Sequence, residues 1–101
     1  MNKSLSLKEI IKKEFNIVMP ISGGDGSSIA EAIKIDKSYS DWSNVEYTLL
    51  KLINQLLGRK WKLAKQSTIQ KNGKFFDQMK LKVTGDKKNY CNYYFDITDH
   101  Y

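Results

Sequence analysis

From Trp61 to Ile97 apolar and polar residues alternate with a period of two, interrupted by turn-forming residues. That pattern predicts three antiparallel strands in a meander, Trp61 to Gln70, Lys74 to Val83 and Tyr90 to Ile97, with Asn72 and Gly73 at the first turn. Turn length decides which side chains share a face, because a slip of one residue moves a whole strand's side chains to the other side. A two-residue turn pairs Lys71 with Lys74 and Ile69 with Phe76, but it sets Leu63 against Lys82. A three-residue turn, Lys71 to Gly73 with Gly73 in a left-handed bulge, pairs Trp61 with Val83, Leu63 with Leu81, Lys65 with Met79 and Ile69 with Phe75. The second register is the one expected, since one face then carries nearly all the large apolar side chains, continued on the third strand by Cys91, Tyr93, Phe95 and Ile97. Lys65 and the Ser67/Asp77 pair are the misfits on that face.

In the same register the opposite face holds Lys60, Lys62, Gln66, Thr68 and Gln70 against Lys74, Phe76, Gln78, Lys80 and Lys82, with Asn92, Tyr94 and Asp96 alongside. It is basic, it is expected to be exposed, and it places Lys62 opposite Lys82, an arrangement that costs a few tenths of a kcal/mol up to ~1.

Before the meander the period changes. Ser6 to Phe15 predicts a helix, with Ser6 and Glu9 at capping-box spacing and Leu7, Ile10, Ile11 and Phe15 on one face. Ile17 to Ile21 contains the chain's one proline, Pro20, and reads as an edge strand or an extended covering segment. Ser28 and Glu31 repeat the capping-box spacing before Ala32 to Asp36, where Ile33 and Ile35 alternate with Lys34 and Asp36 as in a strand. Ser43 and Glu46 form a third such box at the head of the main helix, Asn44 to Leu57. Its apolar stripe is Val45, Leu49, Leu52, Ile53 and Leu56, and Gly58 ends it. Thr84 to Asn89 reads as a polar hairpin loop, and Thr98 to Tyr101 as a last turn or a frayed end.

These elements predict a single α+β domain over residues 1–101. A mostly antiparallel sheet, the three-stranded meander plus one or two N-terminal strands, carries one or two helices on one face. A chain of 101 residues with 41% hydrophobic content can close one core without disulfide or metal. The lone Cys91 forms no internal disulfide, and no leader or membrane-spanning run is read, so a cytoplasmic protein without membrane attachment is expected. The net charge of +6 is uneven: residues 51–88 hold eleven Lys and Arg against two Asp, while 16–50 hold two Lys against five acids. That asymmetry favours an anionic partner.

Candidate chemistry is sparse. Gly23, Gly24, Gly26, Ser27 and Ser28 have the composition of a loop that cradles a phosphate, yet no Walker or dinucleotide-binding spacing surrounds them. One Cys and one His do not supply a zinc site, so no metal or cofactor is expected. His100 stands next to last, Cys91 falls on the inward face, and Asp77, Asp96 and Asp99 are separated carboxylates. An enzyme is therefore not expected. The expected function is a non-catalytic binding module that docks an acidic protein through Lys62, Phe76, Lys80, Lys82 and Tyr94, with Phe76 as an exposed aromatic anchor. The alternative is single-stranded nucleic acid bound by the same face, which its aromatics favour and the single arginine, Arg59, disfavours. A homodimer through the sheet is the third arrangement the pattern allows.

Overall fold

The structure, a computed structural model, describes residues 5–38, 40–84 and 90–100. Two helices and a five-stranded sheet make an α+β fold: α1 (Leu7–Phe15), β1 (Ile21–Gly23), β2 (Ile33–Ile35), α2 (Trp42–Leu56), β3 (Lys60–Lys71), β4 (Lys74–Thr84), β5 (Tyr90–Asp96) and a closing 3₁₀ turn, Thr98–His100. The order across the sheet is β1-β2-β5-β4-β3, antiparallel except for β2 beside β5, where Ile33 meets Phe95 and Lys34 meets Asp96. The loop expected at 85–89, with Tyr39 and Tyr101, lies outside the described residues. Among the described residues no helix is long and apolar enough to cross a membrane.

Both helices cover one face. Ile11 from α1 and Val45, Leu49, Leu50 and Leu52 from α2 join Ile33, Ile35, Met79, Leu81, Val83, Phe95 and Ile97 in one buried cluster. The Ser6 hydroxyl caps α1 by accepting from the Glu9 amide, and the Glu9 carboxylate accepts in return from the Ser6 amide, the reciprocal pattern its spacing predicts. At the far end of α2, Gly58 turns left-handed at φ 63°. Its amide donates to Gln55 O and the Arg59 amide to Asn54 O, so the last carbonyls are satisfied by a Schellman closure.

Three local expectations are corrected. The helix α2 begins at Trp42, not Asn44, with Asp41 as an N-cap that makes no side-chain capping bond, so the Ser43/Glu46 box is not used. Trp42 packs against the core and stacks on His100 with ring centroids 5.9 Å apart, which holds the first residue of the extended helix. Ser28 and Glu31 close a turn and no helix, the Glu31 amide donating to the Ser28 hydroxyl. Of the two endings expected for the chain, the described residues show the turn, Thr98–His100, with His100 Nε2 3.2 Å from Ile35 O.

The third correction concerns register. The first hairpin turns on two residues, Asn72 at φ 52° and Gly73 at φ 76°, with Lys71 opposite Lys74 and Ile69 opposite Phe76. Both positive φ angles suit the twist of a two-residue turn. Further along, Leu63 nevertheless faces Leu81 and Trp61 faces Val83, because a bulge at Ala64 absorbs one residue between Leu63 and Lys65. Each of the two competing registers is therefore right over part of the hairpin. The bulge turns Lys65 and Ser67 outward, relieving two of the misfits. Asp77 stays on the helix side, where it accepts from the Thr68 hydroxyl at 3.2 Å. Since nothing lies within 4 Å of a Cβ built at Gly73, only its backbone angle resists substitution. Gly73→Ala should cost about 1–2 kcal/mol in chemical denaturation through left-handed strain alone.

Candidate functional site

With the bulge in place, the face of the meander turned away from the helices reads in ranks across β3, β4 and β5: Lys62, Lys82 and Tyr90; Lys65, Lys80 and Asn92; Ser67, Gln78 and Tyr94; Ile69, Phe76 and Asp96. Two consecutive ranks thus oppose lysine to lysine on adjacent strands, and all four lysines are exposed. Among the described residues an ion pair forms toward the opposite edge of the sheet, Lys34 with Asp99 at 3.4 Å, and does not involve them. Lys65, Ser67, Gln78 and Lys80 line a shallow depression of about 170 Å³. Tyr90, half exposed at 50%, lies under Lys80, whose Nζ stands 4.9 Å from the ring centroid. That contact holds one lysine over the patch without neutralising it.

Lys62, Lys80 and Lys82 stand together on this face as expected. Phe76 does not serve as an exposed anchor: it is 5% exposed and shares a concavity of about 480 Å³ with Ile29, Ala30 and Ala32 of the β1–β2 connection. That connection brings apolar side chains to this end of the outer face, where Ile69 and Phe76 are paired. Tyr94 is half buried, and its amide donates to Gly26 O at 2.9 Å. Lys65 is the member of the patch that the expected register misplaced, and its misfit on an apolar face was the signal that a bulge was needed.

The glycine-rich loop is closed on itself. The Gly24 amide donates to Ala32 O, the Gly26 amide to Glu31 O and the Ser27 amide to the Asp25 carboxylate. These bonds leave a phosphate without donors at Gly24, Gly26 and Ser27. A Cβ at Gly24 would stand 2.5 Å from Glu31 O, so the glycine is explained by close approach of two backbones. The Ser27 hydrogen bonds hold the Asp25 carboxyl below its usual value.

Two polar groups lie within the helix-covered side. Arg59 Nε donates to Asn54 Oδ1 and its Nη2 to the Tyr93 hydroxyl at 2.8 Å, with Cys91 Sγ at 3.5 Å, while Asn54 Nδ2 donates to Leu50 O. The chain's one arginine is thus directed inward. Burial raises the Tyr93 pKa, against the opposing Arg59 charge. The second group is Glu46, fully buried, with no donor at either carboxylate oxygen. Burial first, and the facing Asp77 carboxylate second, push its pKa up to about 9. A protonated Glu46 can share its proton with Asp77, and an ionised one cannot. Among the described residues no group of three or more His, Cys, Asp or Glu side chains is placed to hold a metal ion. Comparison with protein-family models, curated proteins and solved structures returns no match, which leaves the chain's own residues as the basis for reading its function.

Proposed function

We propose that this chain is a small, non-catalytic binding module whose basic sheet face docks an acidic protein. The observation that carries this reading is the direct opposition of Lys62 with Lys82 and of Lys65 with Lys80. Like charges directly across a ladder are destabilising, and an acidic ligand relieves them. Protection of a sheet edge explains lysines on β3, which is the last strand in the order. It does not explain Lys80 and Lys82, because β4 has a strand on either side. The depression between Lys65 and Lys80, with the Ser67 hydroxyl and the Gln78 amide at its walls, suits a carboxylate. The inward direction of Arg59 removes the guanidinium from this face and burial of Phe76 removes one of its aromatics, leaving the half-exposed Tyr90 beneath Lys80, which favours the protein partner.

The test is capture from a lysate of the source cell, with and without nuclease, comparing the wild type with a variant carrying Lys62→Glu, Lys65→Glu, Lys80→Glu and Lys82→Glu. A stoichiometric protein that survives nuclease, is lost with the variant and weakens with salt is the expected result, with unchanged circular dichroism showing that the fold persists. Capture that survives the four reversals would reject this face, and capture abolished by nuclease would move the reading to nucleic acid.

A further inference from the structure

The strand at the open end of the sheet is long. β3 runs twelve residues, Lys60–Lys71, and among the described residues none pairs with its outer side, whereas the strand at the opposite edge, β1, has three. In a hairpin closed by a two-residue turn, the residues flanking the turn exchange both hydrogen bonds, and bonded and non-bonded pairs alternate from there. With Lys71 opposite Lys74, the backbones of Ile69, Ser67 and Lys65 therefore bond to β4. Those of Gln70, Thr68 and Gln66 direct their N–H and C=O groups away from the sheet.

We propose that this edge is a strand-addition site for an extended acidic segment of the partner, which pairs with Gln66 to Gln70 as a sixth strand. The proposal rests on the acidic-partner reading above and adds how the partner is held. Two features select the occupant. On the outer face the added strand would run beside Ser67 and Ile69 with the exposed Lys65 and Lys71 at either end of the stretch, which call for Asp or Glu toward both ends of the segment. On the helix side it would run near Tyr47, which is 38% exposed and whose hydroxyl donates to Gln66 Oε1 at 3.3 Å across the edge, calling for apolar residues between the acids. The same lysines reject a second copy of this chain, since pairing β3 with β3 would set lysine rows against each other. A neutral strand gains no charge pairing from them, so Lys65 and Lys71 serve both affinity for an acidic segment and discrimination against a basic one.

A short end-blocked peptide of alternating glutamate and valine, its alternately N-methylated form and polyglutamate are the probes, titrated into the ¹⁵N-labelled full chain. The unmethylated peptide should bind, should slow hydrogen exchange at the amides of Gln66, Thr68 and Gln70, and should bind at least about tenfold more tightly than the methylated form, which cannot complete the ladder. Equal binding of the two forms without added protection would overturn the edge and leave the basic face standing. Failure of all three acidic probes to bind would overturn both. Protection of the same amides that grows with protein concentration alone would assign the edge to a second copy instead.

Discussion

The unfolding free energy should fall steadily between about pH 5 and pH 9, and Glu46→Leu should abolish that fall. The folded-state pKa of Glu46 lies near 9 against 4.5 for the free side chain, so through this window the folded chain binds a proton that the unfolded chain has released. Stability contributed by a raised carboxyl is complete below the unfolded value and is lost as pH rises toward the folded one. At pH 7 the penalty is about 3 kcal/mol, a large fraction of the stability of a domain this size. The other shifted groups fall outside the window. Asp25 and Asp36 are held low by hydrogen bonds from the segments at Ser27 and Ser38, and their contribution is lost only as pH falls below the carboxylate range. Tyr93 is raised from 10, above the window. Because burial is the largest single cause, Asp77→Asn should lessen the total fall without removing it. Denaturant titrations across pH would reveal this, and a wild-type stability that is flat from pH 5 to 9 would show that Glu46 is not buried as described.

The second large effect is expected at Leu81. It is fully buried in the core cluster that α2 joins, opposite Leu63 on β3 and Cys91 on β5, on a strand with a neighbour on either side. Leu81→Ala should cost about 2–5 kcal/mol, because the neighbours on two strands and a helix cannot collapse together into the space. For a chain of this length that corresponds to a fall in Tm of roughly 10 °C or more. Leu57→Ala is the matched control: Leu57 is 58% exposed beyond the end of α2, and its loss should stay within about 0.5 kcal/mol. Similar costs at both positions would mean that the helix-covered face is wrongly assigned.

What could be read from the residues alone follows the range of the forces involved. The three meander strands fall within one or two residues of expectation, because alternation is a local signal that burial on one face enforces. Ser6, Glu9 and Gly58 mark their helix ends by hydrogen bonds spanning a single turn. The Ser43/Glu46 spacing fails for the opposite reason: Trp42 gains its packing from His100 and the core, contacts that lie far away in sequence, and the box yields to them. The parallel pairing of β2 with β5 is likewise a distant contact with no local signature. The bulge at Ala64 occupies a middle ground. Neither uniform register accommodates Asn72-Gly73, Leu63, Lys65 and Ser67 together, and that conflict contained the answer. Phe76 is buried against the expectation from alternation because its cover, the segment holding Ile29, Ala30 and Ala32, reaches it only through the folded β1–β2 connection. On the basic face, alternation alone places Lys62, Lys80 and Lys82, while Lys65 needs the bulge.

The most direct measurement of the basic-face claim is chemical-shift mapping with polyglutamate and, separately, a short single-stranded oligonucleotide on the ¹⁵N-labelled chain at moderate salt. Polyglutamate should perturb Lys62, Lys65, Lys80, Lys82 and Tyr90, leave α1 untouched and bind more tightly than the oligonucleotide. Perturbation confined to Lys8, Lys12 and Lys13 on α1, or none on the sheet, would contradict the claim that the opposed lysines of β3 and β4 form the docking site.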